Sequence, residues 1–393
     1  MRQLCLCLPL LPDSGPSHED GEGRGHRPPA QKSRILIRPT EARRAIVSTN
    51  AHPISHNLLV SASPHITSGE TIPRIMYNVI LAMLPVCLVS IYYFGYYGIK
   101  VLVLTTLFCV GFEYLWQKML RKPVTISDGS AAVTGILLAL NLPPSAPWWL
   151  MLVGSFLAVI IAKQLYGGLG YNLFNPALVA RVALLISFPV HMTNWIQATP
   201  LFSGVDAVTT ATPLGILQTA IKTTGSIPPE VMAQVNPSSQ NMLTWFTGHM
   251  MSGSLGEFSA LAILLGGLWL MYKKYIYWQV PVTYIGTVLI FSGIFWMIDP
   301  TRYAHPLFHL LTGGLFLGAF FMATDMVTSP VTKKGLLVFG VGCGLITCLI
   351  RMWGSYPEGV SFAILLMNGL TPLLDRWFKP TVFGQRKLYE ETK

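Results

Sequence analysis

Gly135-Ile-Leu-Leu-Ala-Leu-Asn141-Leu-Pro-Pro-Ser-Ala-Pro147 and Gly318-Ala-Phe-Phe-Met-Ala-Thr324-Asp-Met-Val-Thr-Ser-Pro330 share one skeleton: a glycine, a polar residue six positions on, and a proline six further. Each stretch closes an apolar run in a proline-bearing turn and leads into another apolar run. In each half that next run ends in a turn rich in glycine or tyrosine, Gly167-Gly-Leu-Gly-Tyr-Asn172 or Gly354-Ser-Tyr-Pro-Glu-Gly359, and a last apolar run follows. Weak internal symmetry, with helices interrupted in matching places, marks transporter-like membrane folds. Helices that stop at proline also recur by chance, so the spacing alone leaves both explanations open.

Working outward from these stretches, ten apolar runs follow Pro73, at about 74–94, 98–118, 127–142, 147–166, 173–190, 256–272, 279–297, 305–325, 335–352 and 359–377. Several are shorter than the roughly 20 residues a full span needs. The shortest, 127–142, reads as a broken or half-membrane helix, tolerated only where protein surrounds it. The fold expected is all-α and integral to the membrane: about ten transmembrane helices in two five-helix repeats, 74–190 and 256–377. The odd helix number inverts the second repeat relative to the first. Five segments follow: 1–55, aperiodic and charged, read as disordered or as an over-extended start; 56–190, the first repeat; 191–255, a long loop; 256–378, the second repeat; and 379–393, a tail.

Composition agrees. Of 393 residues 52% are hydrophobic and only 11% charged, against about 25% charged in soluble proteins. The net charge of +10 therefore reads as cations flanking membrane helices rather than a nucleic-acid surface. A cytoplasmic N-terminus puts Lys118, Arg121, Lys122, Lys163, Lys273, Lys274, Lys333 and Lys334 in cytoplasmic loops, with Arg376, Lys379, Arg386 and Lys387 in a cytoplasmic tail. Only Lys100, Lys222, Arg302 and Arg351 fall on the far side, so the bias obeys the positive-inside rule and places the 191–255 loop outside the cytoplasm. Tyr92, Tyr93, Trp148, Trp149, Tyr275, Tyr277 and Trp278 cluster at run ends, as interfacial belts do. No C-x-x-C pair occurs, and His305 and His309 form an i, i+4 pair without a third ligand nearby, so no metal site is expected.

The 191–255 loop holds the hydroxyl-rich stretch Ser203-Gly-Val-Asp206-Ala-Val-Thr209-Thr210-Ala211-Thr212-Pro213-Leu214. Leu214, Leu217 and Ile221 lie on one helical face after it. Thr212 is then the N-cap and Pro213 the first helical residue. A helix N-terminus also favours phosphate, so the hydroxyl is either an ordinary cap or the carrier of a phosphate-linked group. Three further polar residues stand out. Asp128 and Asp325 sit at the edges of apolar runs, one in each half, as intramembrane carboxylates that are candidates for ion coupling or ligand contact against the duller reading of helix-end carboxylates. Arg181 lies within a run and would either hold a phosphate or an acidic residue, or snorkel to the interface.

Seven segments together resemble a known family: Ser61-Ala-Ser-Pro-His65, Leu142-Pro-Pro-Ser-Ala-Pro-Trp-Trp149, Ala162-Lys-Gln-Leu-Tyr-Gly-Gly-Leu-Gly170, Asn172-Leu-Phe-Asn-Pro-Ala177, Ala207-Val-Thr-Thr-Ala-Thr-Pro-Leu214, Gly318-Ala-Phe-Phe-Met-Ala-Thr-Asp325 and Tyr356-Pro-Glu-Gly-Val-Ser-Phe-Ala363. The family is that of the RnfD proteins of the Rnf electron transport complex and, more distantly, the NqrB proteins of the sodium-pumping NADH:quinone reductase. The resemblance covers about 61–385. It implies FMN joined through a phosphoester to the last threonine of the tetrapeptide Thr209-Thr210-Ala211-Thr212, with Asp206 as the acidic residue upstream. The chain departs from the family pattern at Thr210, where glycine is frequent, and at Thr209, where serine is. The resemblance further implies a separate flavin transferase for maturation and the other Rnf subunits as partners. It implies a multi-pass protein of the bacterial inner membrane with a periplasmic Thr212 loop, a fold like that of urea transporters, and electron flow between ferredoxin and NAD coupled to Na+ or H+ movement. It also allows a second, non-covalent flavin, riboflavin, in the helical domain. A solute transporter on the same repeat, or a membrane scaffold whose tetrapeptide is only a cap, are the rival readings. Bound flavin separates all three.

Overall fold

The computed structural model describes residues 70–198, 209–248 and 251–380. Asp206, the 1–55 segment and the tail arginine and lysine at 386 and 387 lie outside the described residues. Helices occupy all ten apolar runs. The first two are long: α1 (Ile72–Phe94) and α2 (Tyr96–Met119) meet at Gly95. A 3₁₀ turn, Ile126–Asp128, precedes α3 (Ser130–Leu140). Helix α4 (Trp148–Phe156) continues as a π-helix over Leu157–Gln164. Then come α5 (Pro176–Ser187) and the single turn α6 (Pro189–Met192).

Three short amphipathic helices fill the long loop: α7 (Pro213–Thr224), α8 (Pro229–Val235) and α9 (Ser239–Thr247). The remaining helices are α10 (Ala260–Tyr272), α11 (Gln279–Ile298), α12 (Pro306–Leu311), α13 (Leu315–Leu317, continued by a π-turn over Gly318–Met322), α14 (Lys333–Trp353) and α15 (Val360–Trp377). Among the described residues there is no strand, only two isolated antiparallel bridges, Ile196 with Thr209 and Gln197 with Ser252, which tie the loop's ends.

Four helices, α1, α2, α11 and α14, are long and apolar enough to cross a bilayer, and the chain is a multi-pass membrane protein. Their outer faces stay greasy: Leu81, Leu84 and Leu88 of α1 are exposed, which suits lipid rather than water. Helix α1 packs on α10, α5 on α15, α2 on α3 and α4, and α11 on α14. The 11-residue α3 is about 16 Å long, half the roughly 30 Å hydrocarbon core. It ends at Asn141, which is wholly buried and donates its amide to Leu137 O at 2.6 Å.

Two expectations need correcting. The run at 305–325 is not one helix. It breaks at Thr312-Gly313-Gly314 because Gly313 takes a left-handed conformation, φ +74°, that side-chain-bearing residues avoid. A Cβ at Gly313 would also lie 2.7 Å from Leu214 and 3.0 Å from Arg351. Lys163 and Arg351 fall within the runs 147–166 and 335–352, as expected, but instead of serving as flanking charges on the cytoplasmic and far sides they are buried, at 2% and 6% exposure. Each is held there by polar partners, so neither counts as a flanking charge; the bias of the other cations is unchanged. The equal spacing of Gly135 and Gly318 does not give equal packing either. Gly135 admits the α2 backbone at Thr106, whereas Gly318 admits Val360 of α15.

Candidate functional site

Thr212 caps α7. Its backbone is extended (φ −66°, ψ 152°) and its Oγ1 accepts a hydrogen bond from Gly215 N at 3.1 Å. Pro213 follows at the first helical position, where a missing N–H is harmless. Thr209, Thr210 and Ala211 are exposed, but Thr212 is only 5% exposed. The tetrapeptide is pinned by Thr210 N donating to Trp195 O at 3.2 Å and Ser252 Oγ donating to Ala211 O at 2.7 Å. Thr212 lines a small cavity of about 290 Å³ with Ser252, Glu257, Gly313 and Glu358.

Those two carboxylates lead to Arg181. On α5, its guanidinium donates to Asn141 Oδ1 at 2.7 Å and to Glu257 Oε1 at 3.3 Å, and it pairs directly with Glu358. One buried cation thus gathers the end of α3, the loop before α10 and the loop before α15. Of the two sequence readings for Arg181, the acidic partner is the one realised, and the partners come from this chain. With two carboxylates to one guanidinium the cluster carries an excess negative charge when both are ionised.

A second cluster lies at the N-terminal end of α3. Lys163 Nζ sits 2.7 Å from Glu113 Oε2 and donates to Ser130 Oγ at 2.7 Å. Ser130 Oγ in turn donates to Asp128 Oδ1 at 2.8 Å, and Ser130 N donates to the same oxygen. Gln117 Nε2 donates to Glu113 Oε1 at 3.3 Å and to Thr125 Oγ1 at 2.9 Å. Asp128 is therefore a helix-start carboxylate and also the outer end of a buried polar chain. The π-helix supplies the extra residue per turn that aims Lys163 inward; such segments gather at functional sites.

Lys163 and Ser130 face a cavity of about 900 Å³ that Asn172, Asn175, Thr324 and Asp325 also line. Asn175 caps α5 through Ala177 N (3.1 Å) and Leu178 N (3.4 Å) and donates to Met322 O at 3.3 Å. Asp325 is half-buried and accepts from Val327 N at 3.4 Å and Thr328 Oγ1 at 3.2 Å. The structure thus places Asp325 on one cavity, joins Asp128 to it through Ser130, and links Arg181 to the Thr212 cavity through Glu257 and Glu358. No group of three His, Cys, Asp or Glu side chains among the described residues could hold a metal. His305 caps α12 through Nδ1, which accepts from Leu307 N at 3.2 Å.

Sequence reasoning missed Glu113, Glu257 and Glu358. Glu113 had a usable signal, as an isolated acid inside the apolar run 98–118. The other two fall at run edges, where an acid is ordinary, and only the fold brings them to Arg181.

The family model described as the NQR2, RnfD, RnfE family matches residues 59–384. The chain belongs to that family. It is 46% identical over 337 residues to the D component of the Na(+)-translocating ferredoxin:NAD(+) oxidoreductase complex of Acetobacterium woodii, covering 86% of this chain and 98% of the relative. The D component of the proton-translocating ferredoxin:NAD(+) oxidoreductase complex of Clostridium ljungdahlii is 46% identical over 328 residues, 84% of this chain and 96% of the relative. The D component of the ion-translocating oxidoreductase complex of Stutzerimonas stutzeri is 44% identical over 335 residues, 80% of this chain and 93% of the relative. The family match thus spans both polar clusters and the Thr212 loop.

Proposed function

We propose that this chain is the flavin-carrying membrane subunit of an ion-translocating ferredoxin:NAD oxidoreductase complex, with FMN joined to Thr212 by a phosphoester. The observation that carries the reading is the state of Thr212 Oγ1. It stands at the N-terminus of a 12-residue helix and acts there as a hydrogen-bond acceptor. The capping bond uses a lone pair and leaves the hydroxyl proton, the atom that an ester replaces. Cap and attachment are therefore compatible on one oxygen, and the helix N-terminus favours the phosphate's charge. Glu257 and Glu358 oppose that charge from the same cavity, and Arg181 offsets part of it.

FMN supplies the electron exchange when bound; the protein positions it and sets its surroundings. Thr212 is 5% exposed, so the separate flavin transferase has to gain access to a buried hydroxyl. Asp325, with Asn172 and Lys163 around the same cavity, is the proposed site of ion coupling or flavin contact, and Asp128 orders Ser130 beside it. Relatives at the same 46% identity carry sodium in one name and a proton in another, so the proposal is cation movement without a named ion.

The architecture proposed is ten helices in two inverted five-helix repeats, like urea transporters: α1 to α5, and α10 to α15 with α12 and α13 as one broken helix. The pairing of α1 with α10 and α5 with α15 supports it. Both termini would lie in the cytoplasm and the Thr212 loop in the periplasm of a bacterial inner membrane. Other Rnf subunits and membrane lipid are the partners, and the helical domain is where a non-covalent riboflavin would bind. The test is in-gel flavin fluorescence of the denatured protein after coexpression with its transferase. Wild type is expected to fluoresce and Thr212→Val not to. A dark wild type, with the transferase active on another substrate, overturns the reading.

A further inference from the structure

Helix α7 has an open pocket on each side. One, about 920 Å³, is lined by Leu214, Gln218 and Lys222 of α7 and by Arg302, Tyr303, Arg351 and Trp353. The other, about 640 Å³, is lined by Pro213 and Ile216 of α7 with Asn241, Trp245 and Phe308, and has no charged residue. The cavity at Thr212 itself is much smaller than either and is flanked by two carboxylates, well short of the space a ligand ring needs. A planar ring tethered at Thr212 does not fit that cavity, and the two pockets beside α7 are the neighbouring spaces among the described residues.

Charge chooses the side. Lys222 and Arg302 are exposed and make no ion pair within 4.0 Å among the described residues. The Asp299 carboxylate, which the Thr301 hydroxyl and then Arg302 help to hold below its ordinary range, answers part of the Arg302 charge. Arg302 lies over the Tyr303 ring at 6.0 Å. Arg351 is 6% exposed; it donates to His309 O at 2.5 Å and Thr312 O at 3.4 Å, and its buried Nε has no partner. Its guanidinium also stands at the boundary with the Thr212 cavity, because Gly313, which lines that cavity, would place a Cβ 3.0 Å from Arg351 Nη2. Leu214 borders both spaces. Leu214 and the Gly313–Arg351 approach thus stand between Thr212 and the basic pocket.

We propose that the isoalloxazine ring of the flavin on Thr212 lies in the Lys222–Arg302–Arg351 pocket, and that these cations raise its reduction potential. The proposal rests on the flavin reading above. Tyr303 and Trp353 offer the ring aromatic contact. A ring that takes up two electrons and one proton carries one net negative charge, which three nearby cations favour over the neutral oxidised ring. The pocket's role is to position the ring and tune it.

The experiment is a spectroelectrochemical titration, with dithionite as reductant, of the purified full chain coexpressed with the transferase. It compares wild type with the double variant Lys222→Gln, Arg302→Gln. Both side chains are exposed, so the fold is kept. The reduction equilibrium is expected to move at least tenfold toward the oxidised form, a midpoint about 30 mV lower for a two-electron couple. Lys222→Arg with Arg302→Lys is expected to restore the wild-type value. An unchanged midpoint in a double variant that still carries the fluorescent covalent flavin overturns the proposal and leaves the Thr212 reading standing. A shift produced instead by Asn241→Lys, on the other side of α7, overturns it by putting the ring in the uncharged pocket. A wild-type chain with no covalent flavin removes both readings, and the denaturing gel tells that case from the others.

Discussion

At the scale of the residue, one oxygen of Thr212 is offered two roles, and side-chain chemistry can separate them. Asparagine caps helices as well as threonine does but has no hydroxyl to esterify. Thr212→Asn is therefore expected to keep the wild-type melting temperature of the unmodified protein and to lose all flavin fluorescence. Thr212→Val is expected to lose both, with the missing cap costing about 1 kcal/mol. Equal melting of all three would show that the capping bond contributes nothing measurable. Thr212 was legible in the sequence because a cap leaves a local signature: a hydroxyl, a proline, then a 3.6-residue apolar pattern. Glu257 and Glu358 left none. Their meaning lies in a meeting with Arg181 across 76 and 177 residues of chain, and no local pattern encodes that distance.

At the scale of the element, the π-helix of α4 and the acid of α2 form a unit. Lys163 and Glu113 are each 2% exposed and 2.7 Å apart. Removing one partner of a buried pair strands the other charge, at a cost of about 3–5 kcal/mol, whereas replacing both by apolar residues is often neutral. Lys163→Met and Glu113→Leu singly are expected to lower thermal stability in detergent sharply, and the double variant to recover most of it. A double variant no better than the singles would mean that the pair acts through Ser130 and Asp128 rather than on its own. The helices themselves were readable from apolar run length. The break at Gly313 was not, although a Gly-Gly step within an apolar run is a known punctuation mark. Lys163 misled for a related reason: a lysine near the end of a run is usually a flanking charge, and only its pairing with Glu113 pulls it inside.

At the scale of the whole molecule, the two clusters that carry proposed roles in the reaction line different cavities, one with Asp325 and Lys163, the other with Thr212 and the carboxylates that hold Arg181. If cation coupling runs through the first, Asp325→Asn should abolish most coupled ion uptake by proteoliposomes holding the assembled complex while covalent flavin stays at wild-type level. Uptake left intact would remove Asp325 from the coupling path. The membrane class of the fold was legible because hydropathy is a sum over many residues. The association of the clusters was not, because it depends on which helices touch.

The Arg181 cluster also bears on how the protein is made. Translation delivers Arg181 and Asn141 to the bilayer with the first group of helices, while Glu257 and Glu358 are still unsynthesised. Until they arrive the guanidinium is a lone cation within an apolar helix, a placement that disfavours insertion by about 2.5–3.5 kcal/mol at the bilayer centre. The amino-terminal half therefore carries an uncompensated cation until the carboxyl-terminal half supplies its counter-ions. The last of those counter-ions, Glu358, emerges with the last helix, which it precedes by a single glycine.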